Sequence, residues 1–536
     1  MNSHIDSIIV ASYFVIIFIV GFFLSRKNRK GDSSEFLTGG KTMTWKQTGM
    51  TLVAMMFDPG IMGNTALAFL WGFYVVQWNA VNIWFTPWFA GLFFIGIYWR
   101  SKIVTTPEYL EKRFNPAARG VFSFIMVIML ISFLSYGVYN GGLLLNKLFD
   151  WNIWVSIIIL LALAGFYVII GGVKTMLTLD IFQGILLLIT MFAVGIVGFV
   201  AVGGFEGIKA ITIIGKGGVP LNSIIPPNDF SLKSAIMYPT PTIFTFCVIA
   251  GLSWIVCNFG MAQRFLASKS EAHAQKALVF AGVFNVFTLL FAYIAGIAMH
   301  KLMPDIQPDA SFITLLLEYF PVGIRGLLIV GLMAALLSTI DGLLSSAAAL
   351  LNLDIYSRFI KPGLSEKGMK TATAIIQIAI VAIVLLIIPV YLDSGGISYE
   401  RSAYEVLLEF LGSIMGVLIA IFILGIFFTR TTAKASFIGM LVGIVLGFYL
   451  LNFTELNFAH VGTIQFLTVI ILGIVGSFFE KPKSLSELEN LTIWTLPDVK
   501  GPFIGFKSWP GLKIWIIALP VAWLTISLVW EWYVKN

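Results

Sequence analysis

Fourteen runs of roughly 20 mostly apolar residues, parted by short polar stretches, make up the pattern of this chain. They cover residues 7–25, 47–72, 76–99, 118–147, 153–172, 176–203, 239–264, 277–300, 322–351, 373–393, 402–428, 435–452, 461–479 and 512–533, here called segments A to N, and each predicts a helix long enough to cross a bilayer. Segment I breaks its own apolar run with Ser338, Thr339, Asp341, Ser345 and Ser346. At about 100° per residue, Ala335, Ser338, Thr339, Asp341, Gly342, Ser345, Ser346 and Ala349 share one face, while Leu336, Leu337, Ile340, Leu343, Leu344 and Leu350 take the other. A face of small residues suits a seam between membrane helices, but a seam does not explain a carboxylate. An ionised side chain at mid-bilayer costs about 2.5–3.5 kcal/mol, so Asp341 predicts a polar cavity or a cation. Hydroxyl-bearing positions beside it point to a hard-cation site.

Segment B carries a second interruption, Ala54-Met55-Met56-Phe57-Asp58-Pro59-Gly60. Proline removes an amide donor and disfavours helix at the residue before it, so this segment is expected to break in mid-membrane and free carbonyls for a cation or a solute. An ordinary proline kink is the plainer reading, and Asp58 beside the break weighs against it. Segment G repeats the pattern faintly, with Gly251, Ser253, Asn258 and Gly260 ahead of Gln263-Arg264. It lies five segments after B, the spacing of two inverted five-helix halves. Asp180, with Thr178 and Gln183, sits about two turns inside the cytoplasmic end of segment F, placed either to relay a cation or to pair with a loop lysine. Glu405 and Glu409, a turn apart near the outer end of segment K, are either hydrated interfacial groups or solute contacts.

Composition agrees with an all-α polytopic membrane protein: 536 residues are 58% hydrophobic and 11% charged, whereas charged residues approach a quarter of a soluble domain. The net charge of +7 does not point to nucleic acid, because the basic residues are spread over short loops. The loops that would share one side hold 26 of the 34 Lys and Arg, which places those loops in the cytoplasm of a cell membrane and both termini outside. Residues 105–114 read as a short amphipathic cytoplasmic helix with a Thr cap and a first-turn Pro. The outer loop 204–238 is expected to cover part of an external vestibule, and 480–511 to be a polar linker. Cys247 and Cys257 are ten residues apart in one helical run, too far for a mutual disulfide. Four His and no clustered nucleophile or metal-ligand motif argue against an intramembrane enzyme.

Six stretches, EFLTGGKTMTWKQTGMTLVA (35–54), TTPEYLEKRFN (105–115), GGVKTMLTLDIFQG (171–184), AQRFLASKSEAHAQKA (262–277), GLLIVGLMAALLSTIDGLLSSAAALLNLDIY (326–356) and GVLIAIFILGIFFTRTTAKAS (416–436), resemble the sodium/solute symporters, the family of sodium/glucose, sodium/proline and sodium/sialic acid transporters. The resemblance implies a leucine-transporter-like 5+5 inverted repeat with about 14 spans: a leading helix at 7–25, repeats at 47–203 and 239–428, and three trailing helices at 435–533. It implies a sodium site made by the carbonyls of Ala54, Phe57 and Ala335 and the hydroxyls of Ser338 and Thr339. In some members a further cation position uses the segment F acid, here Asp180, with Asp341, Gly342 and Ser345. Two departures stand out: a carboxylate at Asp341 where hydroxyls are familiar, and Leu408 where sugar carriers often show glutamine.

The expected function is therefore Na⁺-driven uptake of a small polar organic solute by alternating access, with Asp58, Gly60, Trp78, Asn258 and Glu409 bordering the solute. A proton-coupled carrier on the same fold and a transporter-like membrane sensor are the alternatives. No Arg or Lys is expected at midplane depth, and with Asp58 at the break a neutral polyol or an amine-bearing solute is favoured over a monocarboxylate.

Overall fold

The computed structural model describes residues 4–28, 39–56, 60–78, 80, 85–225, 229–234, 236–393, 402–496 and 512–535. Among these the backbone is helical apart from loops and two isolated bridges, Met43 with Ser268 and Ile214 with Pro220. The helices used below are α1 (His4–Asn28), α2 (Trp45–Met56), α3 (Gly60–Trp71), α4 (Thr106–Arg113), α5 (Pro116–Phe149), α6 (Ile153–Ala201), α7 (Phe246–Leu252), α8 (Phe259–Leu266), α9 (Glu271–Leu302), α10 (Ile324–Leu350), α11 (Glu366–Asp393), α12 (Ala403–Gly412), α13 (Met415–Phe427), α14 (Ala433–Phe453), α15 (Phe458–Gly476) and α16 (Leu512–Lys535).

The most buried of the long helices is α10, the core of segment I. It packs along α6, α5 and α1, and its side chains are almost all out of contact with solvent or lipid. Its first turn is held by a carboxylate from the start of the chain: Asp6 accepts from the Gly323 and Gly326 amides at 2.8 and 3.0 Å and from Arg325 Nε at 2.7 Å. An anion at a helix N-terminus satisfies donors that lack intrahelical partners. Beyond Leu350 the helix widens into a π-helical stretch, Leu351–Ile360. There Asp354 accepts from Thr105 Oγ1 at 2.8 Å and from Arg119. The Thr105 hydroxyl is thus spent on Asp354; it makes no side-chain cap bond to α4, although Thr105 does occupy the N-cap position that the sequence predicts.

Segment B is two helices, α2 and α3, inclined by 48°. The expected break at Phe57, Asp58 and Pro59 lies outside the described residues. Segment G also divides: a π-turn, Ser253–Cys257, leads to Asn258, whose φ of −63° and ψ of 115° leave the helix, and whose Oδ1 accepts from the Gly260 amide at 2.8 Å to start α8. The halves are inclined by 54°. Segment K divides as well, into α12 and α13 at 42°, a break not foreseen. No proline marks it; Gly412 and Ser413 interrupt the run, and Ser413 Oγ turns back to the Phe410 carbonyl at 2.6 Å.

Two boundaries differ from expectation. Segments E and F form one helical stretch, α6, so the supposed connector at 173–175 is helical, and Thr178 Oγ1 donates to the Lys174 carbonyl at 2.8 Å. Helical hydrogen bonding runs through Val173-Lys174-Thr175 at little cost, because neither of the two polar residues there breaks a helix. The segment after residue 480 is not a free linker over its described part. Tyr109 OH donates to the Leu491 carbonyl, and Trp494 Nε1 to the Phe427 carbonyl, both at 2.8 Å, which clamp it to α4 and to the end of α13.

Candidate functional site

The hydroxyl face of α10 meets the inner half of segment B. Ala54 on α2 and Ala335, Ser338 and Thr339 on α10 are all buried. Ser338 Oγ donates its proton to Asp180 Oδ1 at 2.5 Å, which leaves its oxygen lone pairs pointing elsewhere. Thr339 Oγ1 is buried with no hydrogen-bond partner among the described residues. A buried orphan hydroxyl is costly unless something else takes it up. Two serine and threonine oxygens beside helix carbonyls form a donor set that suits Na⁺, and the orphan oxygen is the observation that fits it. Phe57, the remaining ligand implied by resemblance, lies outside the described residues.

Asp180 is less available than the sequence suggests. Its Oδ2 is bonded at 2.8 Å by Arg264 Nη2, and both side chains are fully enclosed. Arg264 also donates from Nε to the Thr51 carbonyl at 3.1 Å and from Nη1 to the Gly260 carbonyl at 3.0 Å, with Met55 Sδ at 2.7 Å from Nη1. A basic side chain is thus buried among these helices, which the apolar pattern does not lead one to expect. Arg264 stands at the end of an apolar run and reads as a loop-flanking charge, but the break at Asn258 redirects α8, and a long side chain reaches back along its own helix to the Gly260 carbonyl and across to the Thr51 carbonyl of α2. Of the other residues of the supposed second cation position, Asp341 is buried on α10. Ser345 Oγ donates to the Gly342 carbonyl at 3.2 Å and faces Met176 of α6.

Outward of these residues lies a central cavity of about 80 Å³ between the broken helices, bordered by Gly60, Asn64, Trp78, Trp254, Asn285, Tyr404 and Leu408 among others. Trp78 closes one side by stacking on Tyr238, with ring centroids 5.0 Å apart and planes 4° apart. Tyr293 OH donates to Asn64 Oδ1 at 2.9 Å. Asn285 Oδ1 is buried and has no partner among the described residues. Every described lining side chain is uncharged. Of the solute contacts expected from sequence, Gly60 and Trp78 border this cavity, whereas Asp58 lies outside the described residues. Asn258 does not border it, because its carboxamide caps α8. Neither does Glu409, which directly follows Leu408 and so points away from this cavity, into a separate pocket. Asn64, Asn285 and Tyr404 were missed, since an isolated Asn or Tyr in an apolar run carries no periodic signal.

Glu409 lines a separate vestibule of about 410 Å³ with Glu405, Lys216 and Lys233, and Ser234 and Met237 of the 204–238 loop also border it. Glu405 closes its floor, accepting from Trp71 Nε1 at 2.6 Å and Lys216 Nζ at 3.1 Å. Nearby, Asp309 is 2% exposed and accepts the Ala403 amide at 2.9 Å. Burial pushes its carboxyl up to about 7; the amide bond works in the opposite direction, and repulsion from Glu405 adds to the rise. Unfolded, the group ionises in the ordinary carboxylate range, so the folded protein holds this proton more tightly. The associated stability is full at acid pH and is lost as pH climbs through about 7. Asp309→Asn is expected to remove this slope: between pH 5 and 8 the wild-type melting temperature in detergent should fall further than that of the variant. Parallel curves would show that Asp309 does not titrate there.

Three comparisons bear on this geometry. The family model described as the sodium:solute symporter family matches residues 36–443. The chain is 27% identical over 478 residues to the sodium/glucose cotransporter 4 of Danio rerio, covering 82% of this chain and 71% of that protein. It is 25% identical over 549 residues to the sodium/myo-inositol cotransporter of Canis lupus familiaris, covering 91% and 75%. Among solved structures, the substrate-bound outward-open state of a Na⁺-coupled sialic acid symporter superposes with a TM-score of 0.74 at 20% identity, over 90% of this chain and 99% of that one. MhsT in complex with L-phenylalanine superposes with a TM-score of 0.51 at 15% identity, over 82% and 100%. These likenesses show the fold.

Proposed function

The chain belongs to the sodium:solute symporter family, so it is a multi-pass membrane carrier that moves Na⁺ together with a small organic solute, and on that premise we propose that the solute is a neutral polyhydroxylated molecule of the hexose or inositol class. The observation that carries this reading is that the described lining of the central cavity is uncharged, with Asn64, Asn285 and Tyr404 offering hydrogen bonds and Trp78 and Trp254 offering flat apolar faces. A sugar or cyclitol presents many hydroxyls and patches of C–H surface, which such a lining matches without a counter-charge. The names of the glucose and myo-inositol relatives point the same way. Leu408, in place of a hydrogen-bonding side chain, argues for a recognition pattern different from that of the sugar carriers.

The coupling ion is held, in this reading, by the Ala54 and Ala335 carbonyls and the Ser338 and Thr339 hydroxyls, with Phe57 completing the set. The cation carries no protein charge of its own at this site, so inward movement draws about 2.3 kcal/mol per 100 mV from the membrane potential. The two five-helix halves at 47–203 and 239–428 rock about the cavity, and the termini lie outside, as the bias of basic residues predicts.

The test is uptake into proteoliposomes under an inward Na⁺ gradient, with unlabelled competitors. Glucose, galactose or myo-inositol is expected to block uptake of a labelled polyol, and lactate, acetate and neutral amino acids are not. A simple carboxylate competing better than any polyol would overturn the solute class, and equal uptake with choline replacing Na⁺ would overturn the coupling ion. Asn285→Ala is expected to raise the solute concentration for half-maximal uptake about tenfold, the equivalent of about 1.4 kcal/mol, with the Na⁺ dependence unchanged.

A further inference from the structure

Arg264 is fully enclosed, and its bonds join parts of the fold that alternating access must separate. On one side it holds the inner end of segment B through the Thr51 carbonyl and its own helix α8 through the Gly260 carbonyl. On the other it holds Asp180 of α6, which in turn takes the proton of Ser338 on α10. One residue before it, Gln263 Oε1 accepts from Ser346 Oγ at 3.0 Å, so α8 is attached to α10 at two levels, eight residues apart along α10. Between them stands Gly342; a Cβ there would lie 2.9 Å from Arg264 Nη2, so the glycine is what admits the guanidinium. The same Ser338 hydroxyl is thus both a member of the sodium donor set and the last link in a chain that reaches both broken helices.

We propose that Arg264 is the positioning residue that ties closure of the cytoplasmic side to the sodium position: through Asp180 and Ser338 it holds α8 and the end of α2 against α6 and α10 while the cation site is intact. A cation on the Ser338 lone pairs polarises its O–H and strengthens the bond to Asp180, which fixes the carboxylate that Arg264 grips. When the cation leaves, that bond weakens, and α8 is released from α10 and opens the inner path. The inference rests on the sodium site assigned above, and it adds what that site controls.

The experiment uses the full chain with Cys247→Ala, Cys257→Ala and Ser346→Cys, reconstituted in vesicles and probed with a membrane-impermeant thiol reagent from the cytoplasmic face. The thiol at 346 sits directly beneath Gln263, so Na⁺ is expected to slow labelling at least several-fold. Arg264→Gln added to this background is expected to abolish that protection and to raise solute leak in the absence of Na⁺. Arg264→Lys, which reaches Asp180 but cannot also span Thr51 and Gly260, is expected to give an intermediate result. A merely structural arginine would lower the yield of folded protein without uncoupling solute from Na⁺. If Arg264→Gln does not fold, Asp180→Asn and the charge-neutral pair Arg264→Gln with Asp180→Asn take its place, and the pair is expected to be no worse than either single variant. Undiminished Na⁺ protection in any folded variant lacking the ion pair overturns the inference and leaves the sodium site standing. Absence of Na⁺ protection in the parent, together with unchanged Na⁺ dependence in Ser338→Ala and Thr339→Ala, overturns the sodium site itself.

Discussion

Thr339→Ala is expected to raise the Na⁺ concentration for half-maximal transport about tenfold, with the solute dependence at saturating Na⁺ little changed. The hydroxyl is buried and has no partner among the described residues, so its removal breaks no hydrogen bond of the folded protein and subtracts one oxygen from the proposed cation site. Losing one such contact costs about 1–2 kcal/mol, and about 1.4 kcal/mol is a factor of ten. Ser338→Ala is expected to be worse, because it removes a cation oxygen and also the donor to Asp180. The measurement is initial uptake against Na⁺ concentration at fixed ionic strength, with folded protein checked by size-exclusion chromatography. If both alanine variants keep the wild-type Na⁺ curve, the cation does not bind on α10.

Gly296→Ala is expected to lower stability by about 3 kcal/mol, at the upper end of what overpacking costs. A Cβ at this position would meet the Thr65 carbonyl oxygen at 2.2 Å, Ala68 Cβ at 2.8 Å and the Phe69 amide nitrogen at 3.0 Å. Two of these are backbone atoms of α3, so relief requires α3 and α9 to move apart, and both carry residues of the central cavity, Gly60 and Asn64 on one and Asn285 and Leu289 on the other. Solute affinity is therefore expected to fall along with the melting temperature. Gly91→Ala is the control, since nothing lies within 4 Å of a Cβ there. Equal melting of the Gly296 and Gly91 variants would show that α3 and α9 are not packed so closely.

Much of this molecule is visible in its residue pattern, because the bilayer imposes a one-dimensional rule. Backbone amides in hydrocarbon must bond within their own segment, so each crossing appears as an apolar run, and anything polar inside a run needs a reason. That rule alone singles out segment I, where the hydroxyls of Ser338 and Thr339 are both buried, the first bonded to Asp180 and the second without a partner among the described residues. It also flags Gly251, Ser253, Asn258 and Gly260 as an interruption, but it reads Asn258 as a solute contact, and only the structure shows its carboxamide capping α8. The bend between α12 and α13 escapes it, because a Gly-Ser pair is compatible with a continuous helix and only the packing of α15 against both halves decides otherwise.

By itself, then, the sequence determined the membrane class, the apolar runs that become most of the helices, the small hydroxyl-bearing face of segment I and, through its quoted motifs, the family. Only the tertiary structure decided which polar groups meet. Asn64 and Asn285 lie 221 positions apart and share a cavity, while Glu409, one residue from Leu408 of that cavity, faces the separate vestibule. Arg264 shows the reason most clearly. Hydropathy ranks it as a charge at the edge of a membrane run, where solvation is cheap; the redirected helix α8 instead brings it beside Asp180 and the Thr51 and Gly260 carbonyls, where bonds in a dry interior replace that solvation. Whether a charged residue lies in water or in the core depends on partners that are distant in the chain, and periodicity along the chain holds no record of them.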